Sequence, residues 1–393
     1  MVRNDTLILL DDVLLLVEAK AGAAATIASP ASDFGRHAQS VQDLVLKAFH
    51  QCERFFDYIN SADEVSLYQR KDGKYVECGR VRKAHYRVLL PIGLTVESFS
   101  PFSAFCKELP EVVPILGRHP FISLSIDDLF VLKRFLPTAG ELLHYLEVRQ
   151  AVAGMRRAHL FDELDHLGAY IDKNRFDLDL AEQLAGKETN LVIMDGTSRV
   201  VDAHFEGEAW DKKPVPTQKY PDEVLDLLSS LNNTRALGWL SAESHIRDLG
   251  DLGRDDLAKM LAHLRKSLNI HPARYFVHAY ENQPPLFVWL QGEAENADWA
   301  KISDKARAAG LVAKANAVVG VFARIDRNGE YIEAHTFPVD VPTTRTDENA
   351  HIYDDAMRMS DPARQRKPAA PMQRAAPSSV GRNDPCPCGS GLK

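Results

Sequence analysis

The stretch Asn4-Asp5-Thr6-Leu7-Ile8-Leu9-Leu10-Asp11-Asp12-Val13-Leu14-Leu15-Leu16-Val17-Glu18-Ala19-Lys20 decides how this chain is read. Two apolar runs flank an acidic pair, which is the pattern of two buried strands joined by a tight turn. Side chains alternate across a strand, so Glu18 and Lys20 share a face. An antiparallel hairpin brings the start of its first strand beside the end of its second. Asp5 is therefore expected next to the Glu18/Lys20 pair. Two carboxylates and an amine at one end of an apolar sheet are costly to desolvate unless they pair or hold a metal.

Such a set suits a hard divalent cation. Mg²⁺ takes oxygen ligands, commonly one or two carboxylates together with water and substrate phosphate oxygens. A bound metal activates water and stabilises charge on a phosphoryl oxygen, and a neighbouring lysine holds that water or neutralises the developing charge. Those are the needs of phosphodiester hydrolysis. The segment resembles the PD-(D/E)xK nuclease superfamily, in which an Asp opens one core strand and a D/E-x-K triplet closes the next. The resemblance implies a restriction-endonuclease-like mixed sheet with flanking helices. It implies Asp5 and Glu18 as ligands of Mg²⁺, the Ala19 backbone carbonyl as a further ligand, and Lys20 as the catalytic lysine. It also implies a helix and a strand ahead of Asp5, which Met1 to Asn4 are too few to supply. The other reading of the same residues is a surface hairpin with an incidental Glu/Lys pair.

A chain of 393 residues has room for two or three domains. Its 45% hydrophobic and 26% charged content are those of a soluble globular protein. No stretch has the apolar length of a membrane span, and no secretory cleavage pattern follows Met1-Val2-Arg3, so the expected compartment is the cytoplasm, with no membrane partner. A net charge of -8 excludes a general nucleic-acid sponge. A local patch can still track phosphates. Arg70-Lys71-Asp72-Gly73-Lys74, Arg80, Arg82-Lys83 and Arg87 form one such run, which reads either as a solvated hairpin, the simpler account, or as a phosphate track. Cys52, Cys78 and Cys106 read as reduced, partly buried thiols.

Farther along, Val41, Leu44, Val45, Ala48, Phe49, Cys52, Phe55, Phe56 and Ile59 recur at helical spacing over 38–60. On that helix the nuclease resemblance implies that Gln51 or Gln39 approaches the site, as a helix glutamine does in some members; a solvent-facing position is the favoured reading for each. Strands are expected over 64–69 and 74–79 around Asp72-Gly73, and over 85–90, closing at Pro91. Helices are expected over 126–135, over 138–149 with Thr138 and Glu141 as a capping box, and over 159–171. Strands over 190–194 and 199–205 surround Asp195-Gly196. Beyond them, helices over 221–231, 240–248 and 255–268 precede strands over 274–280 and 286–290. A helix over 296–309 leads to strands over 316–325 and 331–337 around Asn328-Gly329. No nucleotide-binding glycine loop, nucleophile elbow or H-E-x-x-H helix occurs there, and His271, His278 and His335 lack metal-ligand spacing.

From Asp361 to Gly381, Pro, Ala, Arg, Gln and Ser dominate, which reads as a disordered linker. The sequence then runs Gly381-Arg382-Asn383-Asp384-Pro385-Cys386-Pro387-Cys388-Gly389-Ser390-Gly391-Leu392-Lys393. Two thiolates in a C-x-C turn favour a borderline metal such as Zn²⁺. This segment closely resembles the opening of the SEC-C motif, a small zinc-binding tail of the SecA translocase and of many unrelated bacterial proteins. The resemblance places a second ligand pair beyond Lys393, so Cys386 and Cys388 supply half of a zinc site.

The expected architecture is therefore α/β and α+β. A nuclease-like domain with appended helices, N-terminally incomplete, covers 1–180. An α+β domain without an assigned role covers 189–345. The linker spans 361–381 and the partial SEC-C motif 382–393. The leading functional expectation is a metal-dependent nuclease, intact or degenerate, that hydrolyses phosphodiester bonds, with DNA the favoured nucleic acid. The alternative is a non-enzymatic zinc-binding adaptor whose SEC-C tail docks a protein partner. A SecA-like translocase is disfavoured because no Walker A loop is present.

Overall fold

The two apolar runs form a hairpin, but only the second strand is buried as expected: Ile8 and Leu9 of the first, an edge strand, are exposed. Strand β1 (Thr6–Leu10) pairs antiparallel with β2 (Val13–Lys20), Thr6 opposite Val17 and Leu10 opposite Val13. At the turn Asp11 has φ of 52°, in the left-handed region that Asp tolerates. Its carboxylate accepts from the backbone N–H groups of Gly238 (2.7 Å) and Leu240 (2.9 Å). This computed structural model describes residues 5–21, 34–96, 105–186, 190–279 and 283–360. The described chain is mixed α/β with several small sheets. It divides into two units: Met1–His278 with Leu286–Asn296 and Val319–Pro338, and Ala279–Pro285 with Ala297–Val318 and Val339–Lys393.

In the first unit, helix α1 (Phe34–Asn60) and the ribbon of β3 (Val65–Lys71) and β4 (Lys74–Val81) lead to β5 (Val88–Thr95) and β6 (Ile122–Ser125). The sheet order is β1-β2-β5-β6, with β2, β5 and β6 parallel. The continuous run Val13-Leu14-Leu15-Leu16 is what a strand covered on both faces requires. Val13 and Leu15 enter one core with Val88, Leu90, Ile92, Ile122 and Leu124. Leu14 and Leu16 enter the other with Val45, Ala48, Phe49, Cys52, Phe55 and Phe56 of α1. Glu18 and Lys20 continue the even-numbered, α1-facing side of β2.

The first core is completed by α2 (Ile126–Phe135), α3 (Ala139–Ala153), the two-residue strand β7 (Ala158–His159), α4 (Glu163–Lys173), α5 (Phe176–Ala185), the two-residue strand β8 (Val192–Ile193) and α6 (Arg199–Phe205). Ser125 and Asp128 form a reciprocal capping box on α2, and the Thr138 hydroxyl accepts from the N–H of Glu141 on α3. Several expectations are corrected here. Residues 199–205 are helical rather than extended, because Val201 and His204, three apart, are the buried pair. The strand expected over 85–90 begins only at Val88, after a 3-10 turn at Lys83–His85, and runs on through Pro91 to Thr95. At Pro91 only β2 lies alongside, since β6 joins from Ile92 onward, so the missing N–H costs no second-neighbour bond. Cys78 is exposed, whereas Cys52 and Cys106 are buried. Helix α5 was not expected, and the helix expected from 159 starts at Glu163, with Asp162 as its cap.

Gly168 of α4 shows why residues 196–205 pack as they do. A Cβ there would lie 1.9 Å from the Thr197 carbonyl oxygen and 2.6 Å from its carbon. Thr197 and Ser198 are held in turn by hydrogen bonds to Asp165. Backbone cannot yield as a side chain does, so Gly168→Ala is expected to cost about 3 kcal/mol through overpacking. A denaturant midpoint equal to the wild type's would refute that contact.

Helices α7 (Asp222–Thr234), α8 (Trp239–Arg247) and α9 (Asp251–Ser267) precede a second sheet of β9 (Ala273–His278), β10 (Leu286–Gly292), β11 (Ala317–Ile325) and β12 (Tyr331–Asp340). Its order is β12-β11-β10-β9, with β9 antiparallel and β11 parallel to β10. Leu286, Val288, Leu290, Val321 and Ala323 pack against Leu227, Leu231, Ile246, Leu257 and Leu261 of the three helices. On the other face Tyr275 stacks on Trp289, and Trp289 Nε1 donates to Gln291. The helix between β10 and β11 is α10 (Trp299–Val312). In the second unit it packs on α11 (Ala350–Ser360) through Ala308, Ile352 and Ala356, with Lys305 bonded to Asp355 at 2.6 Å. No helix among the described residues is long and apolar enough to cross a membrane.

Candidate functional site

The hairpin register places Asp5 one step beyond the Thr6/Val17 pair, level with Glu18. Lys20 Nζ donates to Glu18 Oε2 (3.0 Å), Ala19 O (3.1 Å) and Asp5 Oδ2 (3.2 Å). Asp5 is locked from the other side too, since the Ala19 N–H donates to its Oδ2 at 2.9 Å and its own N–H donates to Glu18 Oε1 at 3.3 Å. The four residues read from the sequence as a site are thus brought together. Three oxygens, from two carboxylates and one carbonyl, converge on a single cationic nitrogen.

The three side chains differ sharply in exposure: 0% for Glu18, 15% for Lys20 and 47% for Asp5. The cluster therefore has a desolvated floor and an open rim. Burial pushes the Glu18 carboxyl above its ordinary range. The Lys20 ammonium opposes that shift and the Asp5 charge adds to it. Beneath the site, burial and the Glu18 charge push the Cys52 thiol up, so it is an inert neighbour rather than a nucleophile. All the converging groups are oxygens, which fits a hard cation better than a soft one. Among the described residues no set of three or more His, Cys, Asp or Glu side chains forms a metal site, so the protein's share here is two carboxylates and a carbonyl.

One further residue shapes the site. Gly93 on β5 lies opposite Glu18, and a Cβ there would meet Phe121 Cζ at 2.5 Å. A glycine inside an apolar strand signals such close approach, and that cue was present in the sequence. Gln51, expected to face solvent, is half-buried, with its Oε1 enclosed and unpartnered. Gln39 is exposed and donates to Asp43. The segments that follow β2 and β5, 22–33 and 97–104, lie outside the described residues.

A separate cleft of about 740 Å³ opens at the opposite ends of β2 and β5, where Arg87, Val88 and Leu89 line it. Four cations line it: Arg87 binds Asp12 and Glu147, Arg175 binds Asp177 and Asp248, and Lys83 and Arg118 bond to the neutral or basic side chains of Asn60 and His119. In the basic run, Arg80 and Arg82 are likewise taken up by Glu64 and Glu77.

Residues 382–393 match the SEC-C motif. The chain carries a SEC-C motif. SEC-C motifs typically bind zinc. Cys386 and Cys388, the thiols expected to hold it, lie outside the described residues. No curated protein and no solved structure matches the chain. The nuclease likeness of residues 5–20 therefore rests on residues and geometry alone.

Proposed function

We propose that Asp5, Glu18, Ala19 and Lys20 form the metal-dependent site of a phosphodiesterase acting on nucleic acid, with DNA as its substrate, on a restriction-endonuclease-like sheet. The observation that carries this reading is the convergence of Asp5 Oδ2, Glu18 Oε2 and the Ala19 carbonyl on Lys20 Nζ. The two-sided burial of β2 and the α1 crossover from β2 to the parallel β5 also support it. Asp5 and Glu18 with the Ala19 carbonyl would hold Mg²⁺. When bound, the ion would supply Lewis acidity toward a phosphoryl oxygen and lower the pKa of a water. Lys20 Nζ, which bonds the oxygens of Asp5, Glu18 and Ala19, would swing off them as the ion binds, while the buried Glu18 carboxylate stays in place. Asp5, at the open rim, faces arriving substrate. Lys20 donates to the attacking water or to the phosphoryl oxygen on which negative charge develops. One P–O ester bond breaks, water supplies the new P–O bond, and the leaving oxygen is protonated to a hydroxyl.

The test is cleavage of plasmid DNA by the full chain in Mg²⁺ or Mn²⁺, against the same mixture in chelator. Metal-dependent cleavage that vanishes in Lys20→Ala, with an unchanged circular dichroism spectrum, is the expected result. Undiminished cleavage by that variant removes Lys20 from the chemistry. No cleavage by the wild type with either metal removes the enzyme reading.

One observation favours a second reading, the SEC-C match at 382–393. On that reading the chain is an adaptor whose thiols hold zinc and present a docking tail. Zinc that co-purifies with the chain and is lost in Cys386→Ser/Cys388→Ser would support it.

A further inference from the structure

The β3–β4 ribbon is rooted in the α1-side core by Val65, Leu67 and Val81. A register shift between Leu67 and Tyr68 marks a bulge, and such irregularities bend a ribbon and re-aim its outer part. Beyond it every residue from Tyr68 to Cys78 is exposed. At about 3.4 Å per residue, Tyr68 to the turn reaches roughly 14 Å from that root. A bare, protruding hairpin that buries nothing has no role in the core.

Its side chains are sorted by charge. Arg80 and Arg82 at the base are neutralised by Glu64 and Glu77. Among the described residues Arg70, Lys71 and Lys74 at the tip have no acidic partner, and Glu77, the nearby acid on β4, is taken by Arg80. That leaves Asp72, in the turn, as the one uncommitted acid of the outer ribbon. The register puts Tyr68, Arg70 and Tyr75 on one face, and Gln69, Lys71, Lys74 and Val76 on the other. Cations thus stand on both faces of the tip, beside exposed aromatic rings, on a chain whose net charge is -8.

We propose that the outer β3–β4 ribbon is a duplex-DNA-binding element, entering a groove tip-first with Arg70 on the phosphates of one wall and Lys71 and Lys74 on those of the other. A two-stranded ribbon fits the major groove, about 12 Å wide and 8.5 Å deep, and cations on both faces suit a groove walled by phosphates on both sides. An acidic body with a basic projection confines this attraction to the tip. The proposal deepens the nuclease reading and rests on it for the choice of DNA.

The experiment measures affinity of the full chain for a short labelled DNA duplex in chelator, so that no cleavage contributes, across a salt series. Arg70→Glu/Lys71→Glu/Lys74→Glu is compared with wild type and with an equal charge change elsewhere, Lys259→Glu/Lys301→Glu/Lys314→Glu. The ribbon variant should bind at least about tenfold more weakly at 0.1 M salt, with the slope of log affinity against log salt reduced by about 3. The control should stay within about threefold of wild type. Equal affinity of the ribbon variant overturns the proposal, as does an equal loss in the control. Absence of duplex binding by the wild type, or a preference for single-stranded RNA over the duplex, overturns it too. Binding without metal-dependent cleavage would sink the proposed active site and leave the ribbon standing. Cleavage with unaltered affinity in the ribbon variant would do the reverse.

Discussion

Glu18→Gln is expected to act in opposite directions on activity and stability. It removes a carboxylate from the three-oxygen cluster, so DNA cleavage should fall by at least roughly 100-fold, as when a preorganised charged group is lost from a site. It also removes a fully buried charge. Burial raises the folded-state pKa of Glu18 above its unfolded value. The stability linked to this group is then fully present below the unfolded pKa and is lost as pH rises through the elevated folded pKa. At neutral pH the wild type carries that penalty and the glutamine variant does not. Glu18→Gln should therefore be more stable at pH 7, by about 1 kcal/mol, and the difference should shrink toward pH 4. The shape is nearly unchanged, and a glutamine oxygen still accepts from Lys20 or from the Asp5 N–H. Thermal melts at several pH values beside the cleavage assay decide it. A variant less stable than wild type at pH 7 would show that the Lys20 ion pair outweighs desolvation, and full activity would take Glu18 out of the site.

Arg149→Met should produce the largest loss of stability in the first unit. Arg149 and Glu163 are 2% and 3% exposed, joined at 2.9 Å through Arg149 Nε. Tyr145 donates to the other Glu163 oxygen, and Arg149 Nη2 already lacks a partner. Removing the guanidinium strands a buried carboxylate, which typically costs about 3 to 5 kcal/mol. In a unit of this size that is a fall in melting temperature on the order of 10 °C. Burial already holds the Glu163 carboxyl above its ordinary range, against the pull of Arg149. Without that pull it rises further, so the deficit should be larger at pH 8 than at pH 5. Arg149→Met/Glu163→Gln should recover much of the loss, since no charge is then buried alone. A double variant as unstable as the single one would mean that the packing of the Arg149 stem matters more than the charge.

Patterns that repeat over a few residues were legible in the sequence. The apolar runs of β1 and β2, the Asp-Gly turn of β3–β4, and the three-and-four spacing of α1 all rest on neighbours along the chain. So did the placement of Asp5, Glu18 and Lys20, because strand alternation and hairpin closure are local geometry. Helix 126–135 was expected with the bounds it has. Where the chain reads ambiguously, distant contacts overruled the local signal. The extended pattern over 199–205 yielded to a helix in which Val201 and His204, three apart, are the buried pair. Pro91 failed to end a strand because its second neighbour begins only at Ile92. Gln51 left solvent because its turn of α1 faces the sheet.

Sequence alone determined that a short acidic hairpin would gather two carboxylates and an amine, and that a SEC-C motif lies at 382–393. Tertiary structure alone decided how those groups are solvated. The burial of Glu18 depends on α1 and β5 closing over β2, the grip of Asp11 on Gly238 and Leu240 spans more than two hundred residues, and the exposure of Arg70, Lys71 and Lys74 depends on nothing packing over them. The reason is physical: hydrogen-bond register and side-chain alternation are properties of a few consecutive residues, whereas the dielectric around a charge is set by whatever the whole chain places beside it.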